Sequence, residues 1–100
     1  MISNSGDIEE RGIEIEELVG DWNDDQVFRR MIDFAKDFAN ERDKQYDAIV
    51  LKGRFAKLQK EEKKGLITQE EFDRHCKGLM YELLELKDII IDAWVYKEAA

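Results

Sequence analysis

Two side chains in this 100-residue chain could act as nucleophile or base near neutral pH, and they are neighbours: His75 and Cys76. Consecutive helix positions do not face each other, so the two cannot work as a nucleophile–base pair. A small helical bundle that relays phosphate through histidine would usually carry a lysine three residues after it and a glycine four after it. Here Lys77 follows at two and Gly78 at three. Two residues turn a helix by about 200°, which points Lys77 away from the imidazole. Histidine phosphotransfer through His75 is therefore the weaker of the readings developed below. Cys76 shares a stripe with Phe72, Leu79 and Met80 and reads as a small core residue. Because it is the single cysteine, no internal disulfide and no cysteine-based zinc site can form.

A calcium loop is tested by Lys60–Glu71, which has glycine at its sixth position and glutamate at its twelfth. Calcium needs oxygen ligands at the first, third and fifth positions. Lysine stands at the first and fifth, Lys60 and Lys64, and two ammonium groups would repel the ion. The many other carboxylates fall on polar helix faces, with no apolar pocket to tune them. The expectation is a protein without catalytic residues, bound metal or cofactor.

Charge is where the pattern is informative. Lys and Arg number 16 against 24 Asp and Glu, a net charge of −8. Residues 1–25 hold nine acids and one base; residues 52–64 hold six bases and two acids. The basic set is Lys52, Arg54, Lys57, Lys60, Lys63 and Lys64, and the acidic end includes Glu9, Glu10, Glu14, Glu16 and Glu17. A negative overall field argues against nucleic acid as a partner. Two oppositely charged regions suit either a solvated surface whose charges offset each other within one molecule or an electrostatically two-sided molecule that docks on a neighbour. No apolar run reaches the roughly 20 residues of a membrane span. The first six residues lack the basic and apolar parts of a secretory leader. A cytoplasmic protein that binds no membrane is expected.

The elements that position these charges are helices. The chain has no proline and is rich in good helix formers. The expected organisation is a disordered stretch at 1–6, a helical domain at 7–96 and a short tail at 97–100. A first helix over 7–19 has Ile8, Ile15, Leu18 and Val19 as its apolar set, with Gly20 past its end. A second is capped by Asn23, with Trp22 and Val27 spaced as a hydrophobic staple and Gln26 at the capping-box position. Its apolar residues from Val27 to Ala39 recur at threes and fours. A third, near 44–64 and capped by Asp43, has two apolar sets: Tyr46, Ile49, Val50 and Ala56, and then Leu51, Phe55 and Leu58. Burial on two sides would make it the central helix. Gly53 and Gly78, inside helices three and four, suggest a close approach or a bend.

The joint after helix three is the strongest local signal. Gly65 is placed to end the helix in a left-handed conformation. Thr68 and Glu71 form a Thr-x-x-Glu capping box, and Ile67 and Phe72 have staple spacing. Helices three and four should therefore form a tight antiparallel hairpin. Helix four runs from Gln69 to about Tyr96, with Phe72, Cys76, Leu79, Met80, Leu83, Leu84, Leu86, Ile90, Ala93 and Trp94 as its core set. Its tail, Ile89–Tyr96, is apolar around most of its circumference and must cover helix one or serve as a docking surface. The fold class is all-α, a small four-helix bundle.

Gly53-Arg54-Phe55 with Leu58, then Lys64-Gly65-Leu66-Ile67-Thr68 with Glu70-Glu71-Phe72, then Tyr81-Glu82-Leu83-Leu84-Glu85-Leu86, together carry a family resemblance. Over about residues 15–92 the chain resembles the bacterial effector-associated domains of class eleven. One departure is Lys77-Gly78-Leu79, where that family often has Asn-Arg-Ile. The resemblance implies a death-fold-like helical adaptor that joins matching domains in bacterial immunity or cell death and has no catalytic residues. The expected surface pairs the basic stretch of one molecule with Glu9, Glu10, Glu14, Glu16 and Glu17 of another, giving a homo-oligomer or a complex with an effector or sensor. The alternatives are phosphotransfer through His75 and a plain structural dimer held by the tail.

Overall fold

Every described segment with apolar residues at three- and four-residue spacing is helical. The computed structural model describes residues 5–21, 25–39 and 41–99. The helices are α1 (Ser5–Gly20), α2 (Gln26–Phe38), α3 (Arg42–Lys63) and α4 (Gln69–Ala99). No strand occurs among the described residues. The expected cap Asn23 and staple residue Trp22, like residues 1–4, lie outside the described residues. α2 starts at Gln26 with Asp25 in the cap position, and α3 starts at Arg42 with Glu41 there. Asp43, expected as a cap, instead stands in the first turn of α3, where its charge favours the positive end of the helix dipole.

α2 is short and buries six residues: Val27, Phe28, Met31, Phe34, Ala35 and Phe38. They meet Cys76, Leu79, Met80, Leu83, Leu86 and Ile90 of α4 in one continuous core. Phe28 stacks on Phe55 of α3 at 4.9 Å between ring centres, and Phe38 meets Trp94 edge-on at 5.3 Å. α2 and α4 pack on each other, and each also packs on α1 and α3, whereas α1 and α3 do not pack on each other. The central pair is therefore α2 and α4, with α1 and α3 on opposite flanks. On α4, Lys87 and Ile91 face α1, while Glu82 and Ile89 face α3.

This corrects the expectation that α3 is central. It is buried along one stripe, Ala48, Leu51 and Phe55. Its other apolar set is exposed: Tyr46 at 57%, Ile49 at 45% and Val50 at 56%, with Ala56 exposed beside them. The physical reason is that α1 takes the other side of the central pair, so nothing covers the outer face of α3. Gly53 and Gly78 mark neither a close approach nor a break: no atom lies within 4 Å of where a Cβ would stand, and both helices run through unbroken. The close approach is at Gly12 of α1. A Cβ there would sit 2.9 Å from Ile91 Cδ1 and 3.6 Å from Lys87 Cδ, so glycine brings α1 down onto α4. The α4 tail is largely used inside the bundle, with Ile91 against α1 and Trp94 against Phe38 of α2. Among the described side chains of that tail, Ile90 is buried, Ile91 and Trp94 are half-buried, and Ile89 and Val95 are exposed.

The joint between α3 and α4 has the expected construction. Gly65 has φ +74°. Its N–H donates to the Glu62 carbonyl at 3.0 Å and the Leu66 N–H to the Glu61 carbonyl at 2.9 Å, the paired bonds of a Schellman ending. Across the next turn, the Glu71 N–H donates to Thr68 Oγ1 and the Thr68 N–H to Glu71 Oε1, both at 3.1 Å. The Thr68 N–H foremost, and then the Thr68 side chain, hold the Glu71 carboxyl below its usual pKa of 4.5, with Arg74 and His75 adding a smaller pull. The folded chain thus binds this proton less tightly than the unfolded chain. The resulting stabilisation is complete above pH 4.5 and is lost as pH falls through the lowered value.

Replacing Thr68 by alanine is expected to cost about 1 kcal/mol in urea denaturation. Glu71→Gln should flatten the acid limb of the stability–pH curve below pH 4.5 relative to the parent; an unchanged limb would show that the box is not formed in solution.

Candidate protein-interaction surface

Burying α3 by one stripe leaves its opposite face in water, and that face changes character along the helix. The N-terminal half presents Tyr46, Ile49 and Val50, then Gly53 and Ala56; the C-terminal half presents Lys57, Lys60, Lys63 and Lys64, all exposed. The lysines gather toward the end of α3 where its dipole is negative. No ion pair within the chain involves any of them among the described residues. The other two expected basic residues differ. Lys52 is half-buried, and Arg54 pairs with Glu82 of α4 at 2.8 Å.

The acidic set divides in the same manner. Glu14 pairs with Arg30 of α2 at 3.5 Å, and Glu16 accepts from the Lys87 ammonium of α4 at 2.9 Å. Together with Arg11–Asp37 at 2.8 Å, these contacts fasten α1 to the central pair. Glu9, Glu10 and Glu17 remain exposed and unpaired among the described residues, around Ile13, which is 53% exposed. The acids and bases expected to work together are therefore brought to opposite flanks of one molecule.

Two features of this region were not legible in the sequence. The apolar half of the α3 face read as core, because an exposed Val50 has the same spacing as a buried one. Lys87 sits on the core stripe of α4 and is only 5% exposed, a position its residue type would never suggest. Its stem lies along Gly12, and its ammonium reaches Glu16 and Asp88 at 2.9 and 3.0 Å. Burial works to lower its pKa, and the two carboxylates more than offset that, so the group lies above its usual 10.5. That stabilisation is in place below pH 10.5 and is lost only as pH rises through the raised value.

The reactive side chains stand apart. His75 is exposed and borders an open hollow of about 240 Å³ with Lys57, Glu61 and Arg54. Cys76 is fully buried, and burial first, with Asp73 beside it, pushes its thiol up to about 11. A larger hollow of about 300 Å³ lies between α3 and α4, lined in part by Asp47, Val50, Arg54, Glu82 and Ile89. Among the described residues no group of three His, Cys, Asp or Glu side chains is arranged to hold a metal ion, and no helix is long and apolar enough to cross a membrane.

The sequence profile of the family described as effector-associated domain 11 matches residues 14–91. The chain belongs to the effector-associated domain 11 family. That match runs from the middle of α1 to the α4 residues that cover it, so the effector-associated domain here is the bundle itself. Membership associates the chain with effector proteins. No curated protein and no solved structure matches it.

Two checks follow. Glu16→Ala should cost about 1 kcal/mol because it removes one of two partners of a buried ammonium, whereas Glu17→Ala, one residue on, should stay within about 0.5 kcal/mol. In the native protein a disulfide reagent should modify Cys76 only as fast as the chain opens, so labelling at pH 8 should accelerate steeply with urea.

Proposed function

We propose that this effector-associated domain is a non-enzymatic adaptor that joins matching helical domains, in the manner of a death-fold module, within a cytoplasmic bacterial immunity or cell-death system. The single observation that carries the reading is the unpaired charge. Lys57, Lys60, Lys63 and Lys64 on α3, and Glu9, Glu10 and Glu17 on α1, have no partner among the described residues and lie on helices that never meet. Charges left open in this way contribute little to the stability of their own fold. They are placed to steer and select a neighbour with the complementary pattern. Membership in the family supports an association role, with effectors or sensors carrying the same kind of domain as partners. An exposed His75 beside a buried Cys76, consecutive on one helix and so not facing each other, supports a role without turnover.

The tail-driven dimer loses ground because Ile90, Ile91 and Trp94 already pack inside the bundle. Truncation after Asp88 should therefore unfold the chain rather than simply make it monomeric. Phosphotransfer would require acid-labile phosphate on His75 after incubation with a phosphodonor kinase.

The deciding measurement is self-association by sedimentation as a function of salt. Raising salt from about 50 to about 500 mM shortens the screening length from above 10 Å to below 5 Å and should weaken assembly. Lys57→Glu with Lys60→Glu should weaken it at least tenfold at low salt and leave the helical circular dichroism unchanged. Assembly that ignores both salt and the double substitution would remove charge docking as the mechanism.

A further inference from the structure

The two open faces have more in common than opposite charge. On α1, Ile13 stands in water between Glu9 and Glu10 one turn before it and Glu17 one turn after it. On α3, Gly53 leaves a gap with no atom within 4 Å of a Cβ position; Ile49 and Val50 stand one turn before it, and Lys57 and Lys60 one and two turns after it. One face thus has a single apolar projection ringed by carboxylates. The other has an apolar notch bordered by ammonium groups.

Resting on the adaptor reading above, we propose that the partner of α3 is α1 of a second copy of this chain, with Ile13 lodged at Gly53, and that copies therefore join head to tail. An antiparallel crossing of the two helices brings Glu9 and Glu10 over Lys57 and Lys60 and sets their dipoles against each other favourably. The missing side chain at Gly53 lets the helices approach closely, and the exposed apolar residues around it lose their contact with water.

The geometry of the bundle then dictates the form of the assembly. α1 and α3 lie on opposite flanks of the α2–α4 pair, so their outer faces point away from each other. Two copies cannot satisfy both pairs of faces at once, as a two-fold dimer would require. Each added copy instead leaves one α1 face and one α3 face open at the ends. A heterologous contact of this kind grows until it closes as a ring, or continues as a filament.

The experiment uses the 100-residue chain and two variants. Gly53→Gln with Lys57→Gln fills the notch and removes a charge; Ile13→Gln with Glu10→Gln removes the projection and a charge. Wild-type chain should form species larger than a dimer as concentration rises in sedimentation velocity. Each variant alone should associate at least tenfold more weakly. Their equimolar mixture should recover a complex that stops at two chains, because only one intact α1 face and one intact α3 face remain between them. The glutamine at Gly53 should raise the thermal midpoint, since glycine is the poorer helix former, so loss of assembly would not reflect loss of fold. Wild-type association that ends at a closed dimer, or a variant that self-associates like wild type, overturns head-to-tail joining and leaves the adaptor reading standing. A wild-type chain that does not self-associate at any salt, even at about millimolar concentration, overturns both.

Discussion

The constraint on which the structure depends is that α2 and α4 each pack on all three other helices and share one apolar core with them. α2 has only 13 residues and buries six of them, against a stripe of α4 that runs from Cys76 to Ile90. Phe28, Met31, Phe34, Ala35, Cys76 and Leu83 at its centre are wholly removed from water. Each large side chain buried there contributes roughly 1.5–3 kcal/mol before the entropy of ordering the chain is subtracted. A domain this small has one core and no reserve, so α2 and α4 commit their apolar stripes to it, with Phe55 of α3 stacked on Phe28. What remains for α1 and α3 is a single stripe of contact each, on either side of the pair. Their outer faces are exposed as a direct consequence of where the core lies, and those faces are what the molecule has to offer a partner.

Electrostatics within the chain follows the same division. Cations on the central helices, Arg30 and Lys87, take the carboxylates on the inner flanks of α1, and Arg11 reaches outward to Asp37 while its guanidinium lies 5.5 Å from the centre of the Phe38 ring. Of these, the Lys87 contact differs in kind, because its ammonium is desolvated and its removal from one partner is felt. The pairs neutralise the acids that face the fold and leave those that face water. On α3 the sorting is by helix direction: Arg54 is drawn to Glu82, whereas the last turns collect lysines at the negative end of the dipole. The two-sided charge of the surface is therefore what is left after the bundle has used the charges it needs.

How much of this could be read from the sequence depended on how local the cause was. The ending at Gly65 and the box from Thr68 to Glu71 were legible because every donor and acceptor lies within a few residues, and the helical character and four-element organisation were legible from spacing alone. The outer face of α3 was not. Tyr46, Ile49 and Val50 repeat like core residues, and only the position of α1 across the bundle decides that nothing covers them. Gly12 and Lys87 escaped for a related reason. The glycine matters because Ile91 crosses it, and the lysine is buried because Glu16, 71 residues earlier, holds its charge. Of the charged set, the four lysines from Lys57 to Lys64 and the acids Glu9, Glu10 and Glu17 are exposed as the segregation suggested. Arg54, Glu14 and Glu16 are committed inside the chain by partners far away in sequence.

A surface made in this way has a consequence for how an adaptor would work. Exposed ion pairs are worth about 0–1 kcal/mol each and are weakened by salt. One isoleucine at a glycine notch adds a small apolar contact, well short of a large hydrophobic interface. On the head-to-tail proposal a single joining event between two free copies would therefore be weak, and dilute copies would stay apart. Tethering changes the balance, because modules held together on a larger assembly meet at an effective concentration in the millimolar range without any new contact. The buried core lies within the single chain, and Ile13, Ile49 and Val50 of the two outer faces take no part in it. Weak faces on a self-sufficient fold make association a readout of local concentration, and that is the physical property a module recruiting effectors requires.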